Sequence, residues 1–305
     1  MQTPASLAPS HCSRRAVRLE HGDERGRLPR VRELIAWTSD VNAVDARGWA
    51  PLHFARYKGH LEVARELLAR GAKIEANGKV GNTALHLASH EGHAALVRLL
   101  LDAGAQIEAK NNIGATPLYR ASLEGQLEAV RLLLERGAVV DARDDNGWTS
   151  PMVASSNGHA AVMRELLARG ADLNALSNVG HMALHFASIF GRAEAMRELL
   201  KRHNVDINAQ DDSGSTPLIL TCLQGYLMAA TILIAAGTNL ALLSNAGRSA
   251  LFWAEWRVQQ DALAPAAPPA APPTAGAAPP PAVVTEAQRA ERKAIFALLK
   301  AHGAT

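Results

Sequence analysis

The chain has 305 residues, 48% of them hydrophobic, a net charge of +3 and two cysteines, Cys12 and Cys222. So small a charge gives no footing for nucleic-acid binding, and two cysteines furnish neither a disulfide framework nor metal-ligand spacing. No run of about 18 apolar residues is present, so no segment reads as a membrane-spanning helix.

Residues 1–22 lack periodicity and an apolar centre, and they read as a disordered tail. Arg14, Arg15 and Arg18 with few early acids keep a mitochondrial presequence in play beside the expected cytoplasmic, or alternatively nuclear, location. From residue 23 to 44 a lone helix pattern (Leu28, Val31, Leu34, Ile35) runs into Asp40-Val41-Asn42-Ala43, a degenerate N-terminal cap with Pro29 in its first turn.

A unit of 33 residues then takes over, clearest from Gly114 to Gly147. Thr116 reads as a helix N-cap, and Pro117 occupies the first helical position, where a missing N–H costs nothing. Gly125 separates two short helices. Leu127, Val130, Leu133 and Leu134 make the apolar stripe of the second, which Gly137 ends. One such unit is too small to bury its own stripe, so it must stack on copies. The copies begin near Asp45, Gly78, Asn111, Asp144, Ser177 and Asp211, with glycines recurring in phase at all three places. Repeat four has Pro151 one place late, which predicts a first helix a residue out of step. Repeat five offers Asn204 near its glycine slot. Cys222 shares a small-residue column with Ser122, Ser155 and Ser188 and is expected to be a buried thiol.

A seventh repeat is split. Its first helix, 249–257, precedes a Pro/Ala-rich insertion, 258–285, that holds eight of the fifteen prolines. Ile295, Leu298 and Leu299 then supply the stripe of a capping second helix over 286–305. The repeat-bearing region is therefore 23–257.

Pro51-Leu52-His53, Ala84-Leu85-His86 and Ala183-Leu184-His185 at the helix starts, with His60, His93 and His159 opening second helices, complete the pattern. The chain resembles the ankyrin-repeat family. The resemblance implies an all-α solenoid with projecting β-hairpin loops, and a structural hydrogen bond from His53, His86 and His185 to neighbouring loop backbone. It implies a protein partner held by the hairpin tips and the first-helix ends on the concave side. Those positions are Trp49, Tyr57 and Lys58 in repeat one, Asn82, His90 and Glu91 in two, and Ile113 and Leu123 in three. Trp148 follows in repeat four, and His181, Ile189 and Phe190 in five.

Arg32, Arg65, Arg98, Arg131, Arg164 and Arg197 recur at one place on the second helices, a convex basic ladder in which Glu62, Glu128 and Glu194 sit three residues earlier. No phosphate-cradling loop, zinc motif or nucleophile elbow is present. The expectation is a monomeric, non-enzymatic protein-binding scaffold without cofactor or metal. A regulatory or assembly subunit and an electrostatic adaptor for acidic membranes or polyanions are the alternatives.

Overall fold

The computed structural model describes residues 40–56, 59–202, 204–263 and 285–304. The N-terminal tail, most of the cap including Arg32, Tyr57 and Lys58, and residues 264–284 lie outside the described residues. Two compact units are present, one comprising residues up to Ser150 with Arg164–Ala171, the other Pro151–Met163 with Asp172 onward.

The first unit contains α1 (Pro51–Phe54), α2 (Leu61–Ala69), α3 (Ala84–Glu91), α4 (Ala94–Asp102), α5 (Pro117–Leu123) and α6 (Leu127–Glu135). First helices stack on first helices, α1 on α3 and α3 on α5, and second helices likewise, α2 on α4 and α4 on α6. The core between the two rows is Leu52, Leu85, Leu96, Leu100, Leu118 and Leu133, all essentially inaccessible. Leucine and alanine dominate because the helices approach closely and must interdigitate. Thr116 caps α5 as expected, its Oγ1 accepting from the Tyr119 N–H at 3.2 Å, and Pro117 opens the helix.

The second unit carries α7 (Ser150–Asn157) from its second residue on, then α9 (Ala183–Ile189), α10 (Ala193–Leu200), α11 (Pro217–Gln224), α12 (Leu227–Ala235), α13 (Ala250–Leu263) and α14 (Glu286–Ala301). Residues of α8 (Ala160–Ala168) belong to both units. Here α9 packs on α11 and α11 on α13, α10 on α12 and α12 on α14. Two expectations change. α7 begins at Ser150, in step with the other first helices, because Pro151 at the second helical position also lacks no needed N–H. α13 continues to Leu263, past the expected end at Arg257, because it runs beside the long α14, and Arg292 of α14 ion-pairs with Asp261 of α13.

The loops between repeats form no strand among the described residues. Each is instead a tight turn closed by two backbone bonds, such as Asp45 N–H to the Trp49 carbonyl at 3.0 Å and Gly48 N–H to the Asp45 carbonyl at 2.9 Å. The polar residue opening the turn takes its free amides. Asp144 Oδ1 accepts from Asn146 at 2.9 Å and Trp148 at 2.7 Å, and Asp211 does the same for Ser213 and Ser215. Successive turns are joined by one amide of the later turn donating to the earlier. Lys79 donates to Arg47, Asn112 to Val80, Asp145 to Ile113 and Asn245 to Ser213. The glycine closing each turn has positive φ, as at Gly48, Gly114, Gly147, Gly180, Gly214 and Gly247. At Gly81 (+75°) a Cβ would lie 2.3 Å from Asn112 Oδ1 and 2.6 Å from its backbone N, so the joint itself requires glycine.

Candidate functional site

The three motif histidines are fully buried and wired to backbone. His53 Nδ1 accepts from the Ala50 N–H at 3.0 Å, and its Nε2 lies 3.1 Å from the Asn82 carbonyl of the next repeat. His86 repeats this with Thr83 (3.2 Å) and the Ala115 carbonyl (3.0 Å), and His185 with Met182 and the Ser215 carbonyl, both at 3.3 Å. An imidazole that accepts through Nδ1 and donates through Nε2 is neutral. Burial holds all three below the ordinary histidine value, His86 and His185 at about 4. They are joints between repeats.

At two of the three motif histidines the residue after the turn glycine stacks on the imidazole. Trp49 stacks on His53 (ring centroids 6.4 Å apart) and meets Phe54 edge to face at 5.6 Å. The guanidiniums of Arg47 and Arg56 lie 4.2 and 4.3 Å from the Trp49 ring. Its indole also fills the space a side chain at residue 78 would take, since a Cβ on Gly78 would be 2.6 Å from Trp49 Cδ1. His181 stacks on His185 in the same way and reaches Asp211 Oδ2 at 3.0 Å. Trp49, named from the sequence among the rim positions, is a packed, half-buried side chain. Asn82 departs further. It is buried, its Oδ1 accepting from Asn111 at 2.8 Å and its carbonyl facing His53.

The remaining rim positions are accessible and divide by chemistry. In the first unit the first-helix ends are polar. Arg120 donates to His90 Nδ1 at 3.1 Å, Glu124 lies 3.4 Å from the same nitrogen, and Glu91 pairs with Arg56 at 3.5 Å. Burial and the Arg120 charge keep His90 below its usual pKa. Leu123 and Trp148 are half-buried, and Ile113 is exposed at a turn tip beside the exposed Val80. In the second unit the same places are apolar. Phe190 is 43% exposed, Ile189 and Leu223 are half-buried, and Val179 is exposed at its turn tip. Sequence reasoning passed over Trp256, although it falls 33 residues after Leu223 at the same place on its helix. The adjacent proline run drew the reading of that repeat toward its insertion instead.

The arginine ladder is largely offset by carboxylates. Arg65 lies 3.8 Å from Glu62, Arg131 reaches Glu128 at 2.8 Å and Glu165 at 3.2 Å, and Arg197 pairs with Glu194. Arg98 and Arg164 are exposed. Among the described residues no group of three or more His, Cys, Asp or Glu could hold a metal ion, and no helix is long and apolar enough to cross a membrane. Cys222 is a buried free thiol, pushed up to about 12 by that burial.

A family profile described as ankyrin repeats (3 copies) matches residues 23–111, 74–144, 108–177, 138–211 and 184–264. Among solved structures the chain is similar to the human ASB11 ankyrin repeat domain, at 27% identity and a TM-score of 0.61, over 67% of this chain and 91% of that one. It is similar also to the ankyrin repeat domain of Bcl-3, a unique member of the IkappaB protein family, at 28% identity and a TM-score of 0.59, over 68% of this chain and 94% of that one. No curated protein matches the chain by sequence.

Proposed function

The chain belongs to the ankyrin-repeat family, and from that premise we propose that it is a non-enzymatic scaffold or adaptor that holds a protein partner on its first-helix ends and turn tips. The observation that carries this reading is the apolar series Ile189, Phe190 and Leu223 in the second unit, accessible on helices whose cores are already filled by Leu184, Ala187 and Leu218. Large apolar groups left at a surface are typical anchors of an interface. The alternative, an adaptor for acidic membranes or polyanions, draws less support, because most ladder arginines already face a glutamate. We also read α13 and α14 as the two helices of one split closing repeat, with the insertion beginning at 264 rather than 258. A reducing compartment such as the cytoplasm suits the free thiol of Cys222.

Proximity labelling in the native cell supplies the partner, and binding of that partner to purified variants tests the surface. Phe190→Ala with Ile189→Ala should weaken binding at least about tenfold while the circular dichroism spectrum is unchanged. Arg98→Ala should bind as the parent does. Equal binding by both variants removes the first-helix ends from the interface, and steep loss of binding with salt would favour the electrostatic adaptor.

A further inference from the structure

The aromatic residues of α13 form one connected strip. Phe252 and Trp253 meet edge to face with ring centroids 5.4 Å apart, and Trp253 and Trp256 do so at 5.6 Å. Phe252 is exposed and both tryptophans are half-buried. Two guanidiniums flank the strip. That of Arg248 lies 5.2 Å from the Phe252 ring and 5.0 Å from the Trp253 ring, and that of Arg257 lies 5.6 Å from Trp256.

These two arginines are unlike Arg65, Arg131, Arg136 or Arg197, each of which reaches a carboxylate. Among the described residues Arg248 and Arg257 have no ion-pair partner. Arg257 Nε donates to the Leu223 carbonyl, and neither of its Nη groups has a hydrogen bond there. Asp261 does act on Arg257, but it is already paired with Arg292, and Glu255, exposed on the same helix, pairs with neither arginine. Burial first and the Arg292 charge second hold Arg257 below its ordinary pKa, which marks a cation short of compensating charge.

We propose that this strip docks a partner segment carrying an apolar side chain flanked by carboxylates, the apolar group lying on Trp253 and Trp256, one carboxylate taken by Arg248 and another by Arg257. The proposal rests on the protein-binding reading above and specifies the chemistry of the partner. Aromatic rings and arginine are the residue types that carry most interface energy, and a partly desolvated guanidinium gains more from an incoming carboxylate than one in open water. The occupant differs from the insertion that follows α13, because residues 264–284 contain no acid.

Fluorescence anisotropy on the full chain tests it with three labelled probes. They are a short peptide with Leu and Trp between Asp and Glu, the same peptide with Lys at every acidic place, and a peptide of residues 264–284. The acidic probe should bind, at least about tenfold more tightly than either other probe, and Arg248→Gln with Arg257→Gln should abolish that preference while circular dichroism stays unchanged. Arg98→Gln should leave it intact. Equal binding of the acidic and lysine probes, equal binding of the 264–284 peptide, or no binding of the acidic probe overturns the proposal. The Phe190 result with the native partner is read separately, so a protein-binding surface can survive the loss of this docking chemistry.

Discussion

A buried imidazole held neutral ties the stability of the fold to pH. His86 and His185 titrate near 6.5 when unfolded and near 4 when folded. The unfolded chain therefore takes up protons first as pH falls, so the stabilisation is complete above about 6.5 and drains away toward 4. Between pH 7 and 5 each of the two should cost about 2 kcal/mol of unfolding free energy, measured by urea titration at the two values. His86→Gln should flatten that dependence, and a profile unchanged by the substitution would show that other groups set it. Two glycines supply a second residue-level contrast. Gly71 and Gly81 share a positive φ, but a Cβ on Gly71 meets nothing within 4 Å whereas on Gly81 it collides with Asn112. Gly71→Ala should cost about 1 kcal/mol, the strain of a left-handed alanine alone. Gly81→Ala should cost more than about 3 kcal/mol, because the Asn112 to Val80 joint must shift as well.

At the scale of the element, helix identity was legible and side-chain duty was not. Periodic leucines, N-caps and in-phase glycines sufficed to find every first and second helix from α1 to α14, since each of those signals is local. What the sequence leaves open is side-chain packing beyond the local pattern. Trp49 follows a turn glycine, as an exposed tip residue does, and only the packing against His53 and the vacancy at Gly78 turn it inward. The length of α13 was missed for a related reason. Nothing within 258–263 is strongly periodic, and the helix is held by its neighbour α14 through Arg292 and Asp261, with side-chain exposures of 11% and 5%. Removing one partner from so buried a pair leaves an uncompensated charge, so Asp261→Ala should cost about 3 kcal/mol or more in urea unfolding. Asp261→Ala no less stable than the parent would mean that α13 and α14 hold together without it. A core truncation gives the scale for comparison. Leu133→Ala on α6, fully buried, should cost about 2–5 kcal/mol.

For the molecule as a whole, the family was readable because the same few residues recur at fixed spacing. The interaction surface was readable only in part, because exposure depends on what the neighbouring repeat places above a side chain. Asn82 and Phe190 both sit at variable positions of the pattern, yet one is sealed beneath its neighbour and the other is open. The histidine joints carry a further consequence. His53, His86 and His185 address Asn82, Ala115 and Ser215, three different residues, and in each case the atom met is a main-chain oxygen. Such a joint is indifferent to the sequence it receives. Excising residues 111–143 would present His86 with the carbonyl of Trp148 in place of that of Ala115, and the shortened chain should still fold with the same helicity per residue. A fold spliced at joints of this kind can be lengthened or shortened by unequal recombination without retuning the break, so its ancestry is written in copy number as much as in substitution.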